Sequence, residues 1–299
     1  MKTATPGLAR PQSALLGIGL MVAATFAFAV LDGLSRHLAG RTNTVMVVTI
    51  RYWFFAVFAL WLLWRRGGLR RALASRIKGL QIVRGVLLAA EVLVTVMSFT
   101  LIGLIETHAV FAVYPLLVAA LSGPLLGERI GWQGWAAILA GFAGMMVILQ
   151  PGTSVFSPLS LVPLLGAAIF ALYGLATRFA ARADDALVSF FWTGLVGAGM
   201  LTVLLPWFWQ PIAREDWGLM VALCVVGVAS HFLLIKAYDV AEAALLQPFA
   251  FLQLVFVSII GVTVFGESLA PRVILGAAII VAAGIVGLRV SVRRGRGRG

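Results

Sequence analysis

Charge is what this sequence has least of. Asp, Glu, Lys and Arg make up 11% of its 299 residues, against about a quarter in an ordinary soluble domain, while 62% are hydrophobic and the mean hydropathy is +1.04. A soluble fold is excluded. Cysteine occurs once, at Cys224 within an apolar run, so no disulfide forms inside the chain and a buried, inert thiol is expected. The histidines, His37, His108 and His231, fall in different spans or at their ends, and Asp184-Asp185 beside Arg182 reads as a solvated loop. None has the spacing of a metal site or an acid–base pair. A Gly-x-x-x-x-Gly-Lys-[Ser/Thr] phosphate loop is missing too, so ATP is not hydrolysed by that route. No catalytic residue, metal or cofactor is expected, and an integral membrane enzyme acting on lipids is the weakest function class.

What the sequence does have is long apolar stretches, and it has them twice. A bilayer core about 30 Å thick takes around 20 residues of helix. Reading at that length predicts ten spans, near 13–35, 45–64, 80–98, 104–125, 131–149, 158–177, 187–206, 217–237, 242–264 and 271–289. Phe28-Ala29 ahead of Arg36 recurs 142 residues on as Phe170-Ala171 ahead of Arg178, and Gly127-Glu128 recurs as Gly266-Glu267 at an offset of 139. Internal symmetry of this kind belongs to transporters. Five spans per half is an odd number, so the second half enters from the opposite face. The predicted fold is an all-α integral membrane protein of ten transmembrane helices in two inverted five-helix repeats, 13–149 and 158–289, with tails at 1–12 and 290–299. Ala27-Phe28-Ala29 resembles a signal-peptidase site, but the run matches residues 160–181, so it is read as a retained first span.

The formal charge of +12 could point to nucleic acid, yet the basic residues cluster at loops: Arg65 to Lys78 hold six and the stretch from Arg289 to Arg298 five. With both termini on one side, that side carries 17 Lys and Arg and the other 4. Basic residues stay cytoplasmic during insertion, so both termini are expected inside, in the cell inner membrane, with lipid rather than nucleic acid as the partner. Arg51 and Arg84 lie within spans, near enough to helix ends to be read as snorkelling.

The segment Ala243 to Glu267, AALLQPFAFLQLVFVSIIGVTVFGE, joins small residues, Gln-Pro, an aromatic-rich run and a closing Gly-Glu. Ala109 to Glu128 keeps Pro115 and the Gly-Glu. Over residues 13 to 289 the chain resembles the EamA-type drug/metabolite transporter superfamily, and within it the aromatic amino acid exporter branch. That resemblance implies export of amino acids, aromatic and other large apolar ones, by alternating access. The alternative it leaves open is an importer of riboflavin or another metabolite with the same fold.

Polar groups at membrane depth need partners or water. Glu91 in span three has Thr95 and Ser98 on its helical face, and adding 140 to its number reaches His231 in span eight. Both are candidates for binding a substrate or carrying a coupling proton, or for a plain interhelical pair. Tyr114 and Tyr173 sit mid-span, where a phenol needs a hydrogen-bond partner, and could wall a cavity or simply pack. Gln247 and Gln253 flank Pro248, and Pro115 breaks span four. The freed backbone makes spans four and nine candidate gates or static kinks. Asp32, four residues before Arg36, reads as a local ion pair or a gate, and Glu128 and Glu267 as surface caps. Trp64, Trp132, Trp207, Trp209 and Trp217 near span ends fit an aromatic belt. Small residues four apart, Ala137 with Gly141, Ala140 with Gly144, Ala278 with Ala282 and Ala283 with Gly287, allow close helix approach within a monomer or across a homodimer.

Overall fold

The computed structural model describes residues 11–65, 68–127, 132–150 and 158–296. Among these the regular elements are all helical: α1 (Pro11–Arg41), α2 (Thr44–Arg65), α3 (Leu69–Leu73), α4 (Lys78–Ile102), α5 (Leu104–Phe111), α6 (Tyr114–Leu126), α7 (Trp132–Leu149), α8 (Leu161–Ala180), α9 (Ala186–Phe208), α10 (Trp217–Val240), α11 (Ala243–Ala250), α12 (Leu252–Phe265) and α13 (Pro271–Arg296). Seven stretches of the described residues are long and apolar enough to cross a bilayer, and they coincide with expected spans one to four and six to eight. Spans five, nine and ten correspond to shorter apolar helices, Leu139–Ile148, Leu252–Phe265 and Pro271–Ala283. The protein is a multi-pass helical membrane protein. Its exposed apolar surface includes the five predicted belt tryptophans.

Span four is broken at Ala112–Val113, between α5 and α6, and span nine at Phe251, between α11 and α12. The first break falls where Pro115, lacking an N–H, could not bond back to Phe111. The second comes three residues after Pro248. At the 139-residue offset Phe251 answers to Ala112, but Pro115 answers to Leu254. The breaks are therefore equivalent while the prolines are not.

Gly127 (φ 73°) and Gly266 (φ 63°) end α6 and α12 in the left-handed conformation, where a side chain would be strained. This explains the glycine of each Gly-Glu pair. Glu128 lies outside the described residues. Glu267 does cap a helix, but a distant one: its carboxylate accepts from the free N–H groups of Leu104 (2.9 Å) and Ile105 (2.8 Å) at the start of α5 and pairs with Arg36. Gly103 makes room, since at φ 87° and ψ 171° a Cβ there would stand 2.8 Å from Glu267 Oε1. Gly103→Ala is expected to cost about 1–3 kcal/mol, read as a lowered melting temperature in detergent.

Helix packing joins the halves pairwise. Helix α1 packs on α10, and its sequence counterpart α8 packs on α4, the counterpart of α10. In the same way α6 on α11 answers to α12 on α5, while α2 packs on its counterpart α9 and α7 on its counterpart α13. Small residues serve that last pair: a Cβ on Gly144 would lie 2.8 Å from the Gly276 carbonyl, and one on Gly276 2.6 Å from that of Gly144. Gly144 therefore packs within the bundle, whereas Ala140, Ala278 and Ala282 are exposed.

Three local expectations are corrected. Neither Arg51 nor Arg84 snorkels, for they are 4% and 0% exposed. Arg84 donates to Thr177 Oγ1 (3.0 Å) and to Gln81 Oε1, with its guanidinium 5.4 Å from the Tyr173 ring centroid. Asp184 is not simply solvated, because it accepts from Ser75 Oγ (2.5 Å) and Gln81 Nε2 (2.8 Å). Asp185 caps α9 through the Val188 N–H at 2.9 Å. Cys224 is buried, as expected.

Candidate functional site

Seven helices converge on one narrow cavity with about 30 Å3 of free space. Helix α1 brings Phe28 and Asp32, α2 Arg51, α4 Glu91 and Thr95, α5 His108 and Phe111, α8 Phe170, α10 His231 and α12 Gln253. A smaller space of about 10 Å3 lies between the two helix breaks, shares His108, Phe111 and Gln253 with the first, and adds Tyr114, Pro115 and Phe251. Helix breaks at such a site free backbone groups to meet a guest inside the membrane.

The polar groups are arranged in separate sets. Asp32 Oδ2 accepts from Gln253 Nε2 (3.0 Å) and lies 3.1 Å from His108 Nε2 at ion-pair distance, without hydrogen-bond alignment. Glu91, 5% exposed, accepts from Thr95 Oγ1 at 2.7 Å. Gly166 on α8 lets that threonine approach, since a Cβ there would be 2.8 Å from Oγ1. Among the described residues Glu91 has no cationic partner. Arg51 Nη2 lies 2.7 Å from His231 Nε2. The rings of Phe28, Phe111 and Phe170 form one contiguous wall, with Phe170 6.5 Å from Phe28 and 5.6 Å from Phe111 between centroids.

Of the sequence-predicted residues, the structure brings Glu91, Thr95, His231, Gln253 and Asp32 to the larger cavity, and Tyr114 and Pro115 to the smaller. Tyr173 is at neither. It stacks on Phe170 at 5.9 Å, its hydroxyl without a partner among the described residues. Gln247 and Pro248 belong to α11 by backbone, and their side chains lie outside the described residues. Glu91 and His231 share the cavity but do not pair, because Thr95 and Arg51 respectively hold them. The expected Asp32–Arg36 pair is not formed: Asp32 faces Gln253 and His108, while Arg36 turns to Glu267 with its guanidinium 4.2 Å from the Phe265 ring centroid. Ser98 bonds the Val94 carbonyl at 2.8 Å instead of facing the cavity.

Sequence reasoning missed Arg51 and His108. Arg51 stands eight residues into α2, deeper than its side chain could escape, and that depth was the available signal. His108 had none, as its place depends on the fold of α5 against α1.

Comparison with known proteins bears on the family and the fold. The family model described as EamA-like transporter family matches twice, over residues 15–150 and 158–289. An S-adenosylmethionine uptake transporter of Rickettsia prowazekii is 26% identical over 252 residues, 84% of this chain and 85% of that protein. A riboflavin transporter of Rhizobium johnstonii is 28% identical over 292 residues, 96% and 95% of the two chains. A solved crystal structure superposes with a TM-score of 0.69 at 21% identity, covering 94% of this chain and 98% of the other, which speaks for the fold alone. The expected aromatic amino acid exporter branch finds no support among these relatives.

Proposed function

Because the chain belongs to the EamA-like transporter family, we propose that it is a secondary carrier that moves a small metabolite, one with a flat ring and a cationic group, by alternating access. Glu91 carries the assignment. A carboxylate buried in the membrane with a hydroxyl as its hydrogen-bond partner awaits a cation, and the Phe28, Phe111 and Phe170 wall beside it suits a flat ring. The S-adenosylmethionine uptake relative names a cargo with both features, so uptake of a metabolite of that chemistry is preferred over amino-acid export.

The remaining architecture follows from the repeat. Two five-helix repeats, 13–149 and 158–289, enter from opposite faces to give ten spans, which is supported by the exchange of packing partners between the halves. Both termini face the cytoplasm across the inner membrane, supported by 17 basic residues on that side against 4. The solute gradient drives transport.

A riboflavin carrier is the second reading, favoured by the relative that matches 96% of this chain. Riboflavin is uncharged and would leave Glu91 unpaired. Counterflow into liposomes loaded with S-adenosylmethionine, riboflavin, Phe or Trp separates the readings. Exchange of labelled S-adenosylmethionine is expected; exchange of riboflavin alone, or of Phe and Trp alone, would replace the preferred cargo.

A further inference from the structure

We propose that Arg51 and His231 form the anion-binding half of the cavity and select substrates that carry a carboxylate beside their cationic group. This rests on the carrier reading and narrows its substrate class to zwitterions.

Arg51 and His231 are 4% and 1% exposed, and both line the cavity. A guanidinium only donates hydrogen bonds, so at 2.7 Å His231 Nε2 must accept from Arg51 Nη2. The imidazole is then the neutral tautomer with its proton on Nδ1. Neither His231 Nδ1 nor Arg51 Nε has a hydrogen-bond partner among the described residues, and no carboxylate there lies at ion-pair distance from Arg51. Asp32 is held by Gln253 and His108, and Glu91 by Thr95. A guanidinium in the membrane interior without a carboxylate at ion-pair distance is costly, and an anion brought by the substrate lowers that cost.

The surroundings hold the pair in place. Gly227 on α10 leaves room for the guanidinium, since a Cβ there would lie 3.1 Å from Arg51 Nε. Phe28 meets the His231 ring edge-on at 5.0 Å and Phe55 stacks on it at 5.8 Å. His231 is thus a positioning residue, and Arg51 is the group that meets the carboxylate. Glu91 stands in the same cavity, beyond ion-pair distance of Arg51 but within its field, so a substrate with both charges meets both sides at once.

The test uses two ligands that differ by one carboxylate, S-adenosylmethionine and its decarboxylated form, as competitors in counterflow on the reconstituted full chain. Wild type is expected to prefer the carboxylated ligand by about 30-fold or more. In Arg51→Gln that preference falls towards one, chiefly through loss of the carboxylated ligand, and Arg51→Lys retains part of it. His231→Gln is expected to fall between wild type and Arg51→Gln. If Arg51→Gln fails to fold, Arg51→Lys alone decides, because a preference equal to wild type's would mean that the fork geometry is not used. Equal weakening of both ligands, or no preference in wild type, overturns the anion subsite while leaving the carrier in place. A folded wild type that exchanges neither ligand overturns the cargo class and the subsite together.

Discussion

A Glu91→Gln carrier should fold, reach the membrane and exchange substrate roughly 30-fold or more below wild type, the factor expected when one partner of a buried charge pair is removed. Glutamine keeps the shape of the side chain and still accepts the Thr95 hydroxyl that Glu91 holds at 2.7 Å. Packing on α4 is therefore preserved, and the charge alone is lost. A structural role has the opposite signature: a neutral amide is easier to bury than a carboxylate, so the variant would be more stable and its exchange unchanged. Counterflow rate and melting temperature measured on the same preparation separate the two. A variant of at least wild-type stability with a lost exchange rate fits the carrier reading, whereas wild-type kinetics remove Glu91 from the site.

Glu267→Ala is expected to give the largest loss of stability, roughly 3 kcal/mol or more. One carboxylate satisfies two first-turn N–H groups of α5, Leu104 and Ile105, and pairs with Arg36 on α1. Removing it leaves a helix start without an acceptor and an arginine, 22% exposed at its side chain, without its counter-ion. The other end of α5 carries His108 and Phe111 into the cavity, so the loss should also weaken exchange. Glu267→Gln keeps one carbonyl oxygen, enough for one of the two N–H groups, and loses the negative charge opposite Arg36, so only part of the stability should remain. Melting temperatures in detergent check the order, wild type above Gln above Ala. Equal values for all three would make Glu267 an idle surface residue.

The parts legible in the sequence were those set by local rules or by the repeat. Apolar length located the helices, and the left-handed requirement at Gly127 and Gly266 underlies the Gly-Glu signature. The repeat offset also brought Glu91 and His231 into the same chamber. Illegible parts were those where a distant partner outbid a near one. Asp32 and Arg36 are spaced for a local pair, but in the interior each found a better-placed group, Gln253 with His108 and Glu267 respectively. Arg51 and Arg84 looked able to reach water, yet hydrogen bonds to His231 and to Thr177 and Gln81 hold both inside. Tyr173 shows the converse, for of the two places open to a mid-span phenol, cavity wall or packing, it takes the second, its ring lying between Phe170 and Arg84.

Alternating access is tested most directly at Phe170, which lines the cavity from α8. The chain's one cysteine is Cys224, so Cys224→Ala with Phe170→Cys leaves a single thiol at the centre. In right-side-out and inside-out vesicles, a membrane-impermeant maleimide should label that thiol from both faces, and saturating substrate should slow labelling from each. Labelling from one face only, unaffected by substrate, or no labelling of a folded protein, would contradict a central site that opens in turn to the two sides of the membrane.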